Sequence, residues 1–125
     1  MKRDLSDSEW RLMKLLWERS PLTIAQMTQA VELETHWGRH TVISLLSRME
    51  HKGAVRHEEG RSKLFYPVWA KDEALRSETR QFLDRVFGGN LGSLVHTMVD
   101  AKELTADDMA ELKAILEKAR EEGAK

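Results

Sequence analysis

Within residues 38–68 the spacing of apolar side chains changes from a helix period to a strand period, and that change constrains the fold most. Val42, Leu45, Leu46 and Met49 recur at i, i+3, i+4 and i+7 over residues 38–52, which is one face of a helix. At ~100° per residue, His40, Ser44, Ser47 and His51 fall on the opposite face, flanked by Thr41, Ile43 and Arg48. Gly53 is well placed to end that helix. Residues 54–58 and 63–68 then read as two short strands joined by the turn Glu59-Gly60-Arg61-Ser62. The run Leu64-Phe65-Tyr66 supports the second strand.

Two more helices precede this unit. Residues 4–19 carry a stripe of Trp10, Met13, Leu16 and Trp17, joined by Leu12 and Leu15. Ser6 or Asp7 can cap it, and Glu9 stands three residues after Ser6, the spacing of a capping box. Ser20-Pro21 ends it, because proline cannot continue a helix. Thr23 caps a second helix with Ile24, Met27 and Val31 facing inward, and residues 32–38 read as a connector. Three helices followed by a β-hairpin describe a winged helix-turn-helix over residues 1–70, so the expected class is mainly α with a small β-hairpin.

Residues 71–125 are predicted to be helical. The first helix, 71–87, carries Leu75, Phe82, Leu83 and Val86 on one side and is broken by Gly88-Gly89. Asn90 can cap a short helix with Leu91, Leu94, Val95 and Met98 in register. Thr105 opens the last one, with Asp108 at capping-box spacing and Met109, Leu112, Leu116 and Ala119 as its stripe. A segment this small, with so few large apolar side chains, is marginal as an independent domain. Its stripes can fold back on the first domain or pair with the same helices of a second chain. The second option suits a DNA reader, because two half-sites double the recognised sequence.

Composition narrows the function classes. The chain has 125 residues, which suits one compact domain or a small domain with an appendage. It has no cysteine, which excludes disulfides and thiolate metal sites and makes a cytoplasmic location natural. The start MKRDLSDSEW lacks the apolar run of a signal peptide, and no segment approaches the ~20 apolar residues of a membrane span. His36 and His40 are four apart but straddle a helix start, so no metal site is expected, and no cofactor. There is no Gly-rich phosphate loop and no Ser/His/Asp signature, which argues against an enzyme. Trp10, Trp17 and Trp37 read as packing residues, Trp69 as a seat for the next helix, and His96 as a residue at the surface or the dimer edge.

The net charge of -1 does not advertise a nucleic-acid partner, but its distribution is uneven. Residues 36–63 carry six Lys/Arg against three Asp/Glu, with four histidines among them. That fits a local DNA-binding surface, and it also fits an ordinary solvated face.

The segments LSDSEWRLMKLLW at 5–17, HTVISLLSRMEHKGAV at 40–55, FYPV at 65–68, FLDRVFGGNLGSLV at 82–95 and ELTADDMAELKAIL at 103–116 resemble, in collinear order, the penicillinase-repressor family. That family includes methicillin-resistance and copper-responsive repressors. The resemblance implies a winged-helix domain, a helical dimerisation region over 71–125, and repression of a promoter at an operator with inverted TACA/TGTA-like half-sites. For the antibiotic-response branch it also implies release by a membrane-bound sensor protease. The Asn-Phe pair cut in those members falls on Thr97-Met98 here. Copper sensing by a cysteine-rich hook is excluded. In the recognition helix, the family's usual Ser and Lys are replaced by Gly38 and His40.

With that fold, the third helix lies in the major groove of double-stranded DNA. His40, Thr41, Ile43 and Ser44 are then the candidates for base contacts, and Arg39, Arg48, Arg61 and Lys63 for backbone contacts. Glu58 and Glu59 oppose DNA at the hairpin. Leu83, Val86, Leu91, Leu94, Val95, Met98, Met109, Leu112 and Leu116 are the candidates for the homodimer contact. The competing reading is a winged helix that contacts proteins and not DNA.

Overall fold

The computed structural model describes residues 4–123. The chain divides into two units, Met1–Thr79 and Arg80–Lys125, and the division falls inside a helix.

In the first unit, α1 (Asp7–Arg19) is capped by Ser6, whose hydroxyl accepts from the Glu9 N–H while the Glu9 carboxylate accepts from the Ser6 N–H. That reciprocal pair starts the helix at Asp7, three residues later than the pattern predicts. Thr23 and Gln26 make the same exchange at the start of α2 (Ile24–Thr35). This helix runs on through residues expected to be connector. The Thr35 hydroxyl donates to the Val31 carbonyl, and His36 then ends the helix at φ 59. A strand β1 (Leu22–Thr23) stands between the two helices. It is too short to show a period, and the proline before it reads only as a helix stop.

The third helix, α3 (Arg39–His51), and the strands β2 (Val55–Glu58) and β3 (Leu64–Pro67) match the predicted unit closely. Gly53 sits at φ 83, a backbone conformation that a side chain would strain. The sheet has three strands, not two, in the order β1-β3-β2, all antiparallel. Leu22 is opposite Phe65 on one side of β3, and His57 is opposite Phe65 on the other. The hairpin is thus a wing anchored along its inner edge.

Leu12, Met13 and Leu16 of α1, Met27 of α2, and Val42, Leu46 and Met49 of α3 are essentially inaccessible, and with Val55 and Phe65 they form one core. Each such side chain contributes about 1.5–3 kcal/mol by leaving water. Trp10, Trp17 and Trp37 pack against this core half-buried, as predicted for packing residues, and Trp69 packs there with them. The Trp17 indole N–H donates to the Trp69 carbonyl at 2.9 Å, just before α4 (Lys71–Phe87) begins.

Unlike α1 and α2, α3 starts without a side-chain cap. Gly38 caps it at φ -87 and ψ 178 with no side-chain hydrogen bond, and a Cβ there would meet nothing within 4 Å. Gly38→Ser is therefore expected to stabilise the chain by about 0.5–1 kcal/mol, through a new cap and a less flexible unfolded state. Urea unfolding at fixed protein concentration tests this. A lower midpoint for the variant would contradict the uncapped geometry.

In the second unit, α4 ends at Gly88 and Gly89, both left-handed, and the Gly89 N–H returns to the Leu83 carbonyl. Asn90 caps α5 (Leu91–Asp100) by accepting from the Ser93 N–H. Thr105 and Asp108 exchange two 3.0 Å hydrogen bonds at the start of α6 (Ala106–Gly123). Leu83 is buried, whereas Val86, Leu91, Met98, Met109 and Leu116 are exposed and Leu94, Val95 and Leu112 are half-buried. An apolar groove runs between α5 and α6, lined by Val95, Val99, Leu104, Met109, Leu112 and Leu116. Among the described residues, no helix is long and apolar enough to cross a membrane.

Candidate nucleic-acid interface

The core-facing stripe of α3 dictates what its other face presents. With Val42, Leu45, Leu46 and Met49 buried, Arg39, His40, Thr41, Ile43, Ser44, Ser47 and Arg48 are all exposed. The four predicted base-contact residues thus share one solvent-facing strip over the first half of α3. His40, Thr41, Ser44 and Arg48 also line an open groove with Ser8 from the first turn of α1. Ser8 carried no signal in the sequence, because nothing local relates it to a helix some thirty residues on. His36 belongs to the end of α2, not to α3, and no metal-holding cluster occurs among the described residues.

The charges on this surface are unevenly spent. Among the described residues, Arg39, Arg48, Arg61 and Lys63 form no ion pair, so their cationic ends face solvent. Arg11, Lys52 and Arg56 are engaged, whereas Lys14, Arg19 and Lys71, away from this surface in the sequence, also form no ion pair among the described residues. Arg11 pairs with Glu34, and Lys52 with Glu9 at 2.6 Å. Arg56 lies 4.2 Å over the Tyr66 ring and 3.0 Å from Glu58.

The acidic residues of the wing, read as opposing DNA, each have a local partner. Glu58 takes Arg56 and also accepts from the Tyr66 hydroxyl at 3.2 Å. Burial and the Glu58 carboxylate together push the Tyr66 hydroxyl up from its usual range. His57 stands between two carboxylates, with Nδ1 2.5 Å from Glu50 and Nε2 3.1 Å from Glu59. Those hydrogen bonds hold its imidazolium above the ordinary value of 6.5. The arrangement leaves Arg61 and Lys63 as the uncompensated charges of the hairpin. Sequence reading could not reach it, since Glu50 and His57 meet only because β2 folds back beside the end of α3.

A further pair holds the interface helix in place. Glu9 is buried beneath the last turn of α3, where its Oε1 accepts from Lys52 and from the Ser6 N–H. Lys52 also donates to the Asp4 carbonyl at 3.0 Å. Burial alone would raise the Glu9 carboxyl, but these donors bring it below the ordinary 4.5.

The predicted dimer and cleavage residues lie in the second unit. Thr97 and Met98 are exposed near the end of α5, where the Thr97 hydroxyl donates to the Ser93 carbonyl. His96 is also exposed, 3.5 Å from Asp100.

A family model described as penicillinase repressor matches residues 5–118. The penicillinase repressor of Bacillus licheniformis is 28% identical over 114 residues, covering 90% of this chain and 89% of that protein. The methicillin resistance regulatory protein MecI of Staphylococcus aureus is 23% identical, covering 92% and 94%. A solution structure of monomeric Bacillus licheniformis BlaI in complex with the blaP half-operator is 26% identical, with a TM-score of 0.51, covering 58% of this chain and 90% of that one.

Proposed function

The chain belongs to the penicillinase-repressor family, and we propose that it represses transcription by binding, as a homodimer, a double-stranded operator of two inverted half-sites. The observation that carries this reading is the exposed strip of α3. It combines groups suited to base edges, His40, Thr41, Ile43 and Ser44, with arginines at either end that are unpaired among the described residues. The major groove accepts a helix of this kind, and phosphates take the flanking guanidinium groups. That a monomeric relative occupies a half-operator fits one protomer per half-site.

Dimerisation is assigned to the second unit because its apolar groove and exposed stripe have no cover among the unit's described residues. Release is assigned to the same region. A membrane-bound sensor protease cutting at Thr97-Met98 would open α5 and separate the protomers. Both residues are exposed, but the helix must unwind locally before a protease can engage it.

Fluorescence-anisotropy titration against DNA from the chain's own upstream region, with scrambled DNA as control, tests the reading. The expected result is sequence-selective binding at two protomers per site that weakens steeply with salt. Leu116→Glu, at a side chain 59% exposed in the protomer, should yield monomers in sedimentation and weaken operator binding about 100-fold. Indifference to DNA, including in a randomised-sequence selection, would favour the protein-contact reading instead.

A further inference from the structure

The histidine clamp at the root of the wing has a consequence for DNA binding that rests on the repressor reading above. We infer that His57 is a positioning residue for operator binding. Bridging Glu50 of α3 and Glu59 of the turn, it ties the wing to the recognition helix and cancels carboxylate charge beside the DNA backbone.

Geometry carries this. Both ring nitrogens face a carboxylate, so both must carry a proton for the two hydrogen bonds to coexist. A neutral imidazole has one N–H and can serve only one of the two carboxylates. The ring is held in place from the third side by Phe65, 5.4 Å away and opposite it in the sheet. Among the described residues, the other charged group bearing on it is Lys63, which opposes its protonation. The neighbours Arg56 and Glu58 on its own strand satisfy each other. With His57 protonated, Arg61 and Lys63 are the net charge of the wing. When it loses its proton, the two carboxylates regain most of their field, and one of them faces a lone pair.

The sign of the pH dependence follows. His57 is held above its ordinary value, so the clamp is complete below about pH 6.5 and is lost as pH rises through its higher folded value. Operator affinity should therefore fall toward alkaline pH. His40 is a second histidine, on the contact strip itself, so the experiment is run on His40→Gln throughout and the comparison is confined to His57.

In that background, affinity for operator DNA is measured from pH 6 to 8.5 at constant ionic strength, with and without His57→Gln. The parent is expected to lose about tenfold across the range, since each of two protomers exposes charge near the phosphates. His57→Gln should be flat and should match the parent at high pH. Glu50→Gln with Glu59→Gln should bind at least as tightly as the parent at pH 6 and stay flat, and adding His57→Gln should change nothing further. Glu59 is an exposed turn residue, so its single substitution supplies a variant whose folding is not at issue. NMR titration of the His57 ring without DNA gives an independent readout, expected above 6.5 in the parent and lowered by either carboxylate substitution. Parallel pH slopes with and without His57 would overturn the clamp and leave the repressor reading standing. If the unsubstituted chain, with His40 in place, also fails to bind operator at any pH, the repressor reading falls and the clamp's role falls with it.

Discussion

Lys52→Met is expected to destabilise the chain by about 2–3 kcal/mol, a large change for one partly exposed lysine. The cause lies in Glu9. Its side chain is 2% exposed, and Lys52 is the only cation paired with it among the described residues. Removing the ammonium leaves a carboxylate inside the protein with the Ser6 N–H as its remaining donor, while Oε2 already has no hydrogen-bond partner. Fully buried pairs broken on one side cost about 3–5 kcal/mol. The figure here is reduced because Lys52 is 36% exposed and water can reach part of the vacated space. Glu9→Gln in the Lys52→Met background should recover about half the loss, because an amide keeps the bond to Ser6 without a buried charge. Acid sensitivity supplies a second measurement. The Glu9 carboxyl is depressed, so its contribution is present above 4.5 and is lost as pH falls through the lower folded value. That acid limb should be shallower in Lys52→Met. Urea unfolding at fixed protein concentration decides it, and a change under about 0.5 kcal/mol would mean that water already solvates Glu9.

The same pair shows where sequence reading ends. The Ser6–Glu9 spacing announced a capping box, and the structure has it. Nothing in the spacing revealed that Glu9 is also a core residue clasped by Lys52, because the partners are 43 positions apart. Local signals behaved alike elsewhere. The stripes of α1 and α3, the Gly53 stop and the caps at Thr23, Asn90 and Thr105 depend on residues within one or two turns, and all were legible. The strand Leu22–Thr23 was not, since its existence depends on Phe65 and Leu64 across the sheet. The contact strip was legible for a similar reason: once four apolar positions of α3 face the core, the opposite face follows from geometry. Which cations stay unpaired depends on tertiary neighbours. Arg56 and Arg61 look equivalent in the sequence, and only the first is consumed by Glu58 and Tyr66.

That distinction makes the second large effect specific. Arg39→Ala with Arg48→Ala should weaken binding to operator and to scrambled DNA by a similar factor, roughly 100-fold at low salt. The slope of log affinity against log salt should fall by about 2 for each protomer bound. Both arginines are exposed, unpaired among the described residues, and at opposite ends of the contact strip, which suits phosphates on either side of the groove. Thr41→Ala should act differently. It removes a methyl and a hydroxyl from the middle of the strip, so it should narrow the ratio of operator to scrambled binding by about fivefold and leave the salt slope alone. Arg56→Ala serves as the internal control, because its charge is already neutralised and its loss should barely change the slope. Anisotropy titrations of the four proteins over one salt series separate these effects. If the arginine pair instead abolishes selectivity and spares scrambled binding, those guanidinium groups read bases and the division of labour along α3 is reversed. If neither change moves binding, this face of α3 does not touch DNA, and its exposed strip is free for the protein contact that is the competing use of a winged helix.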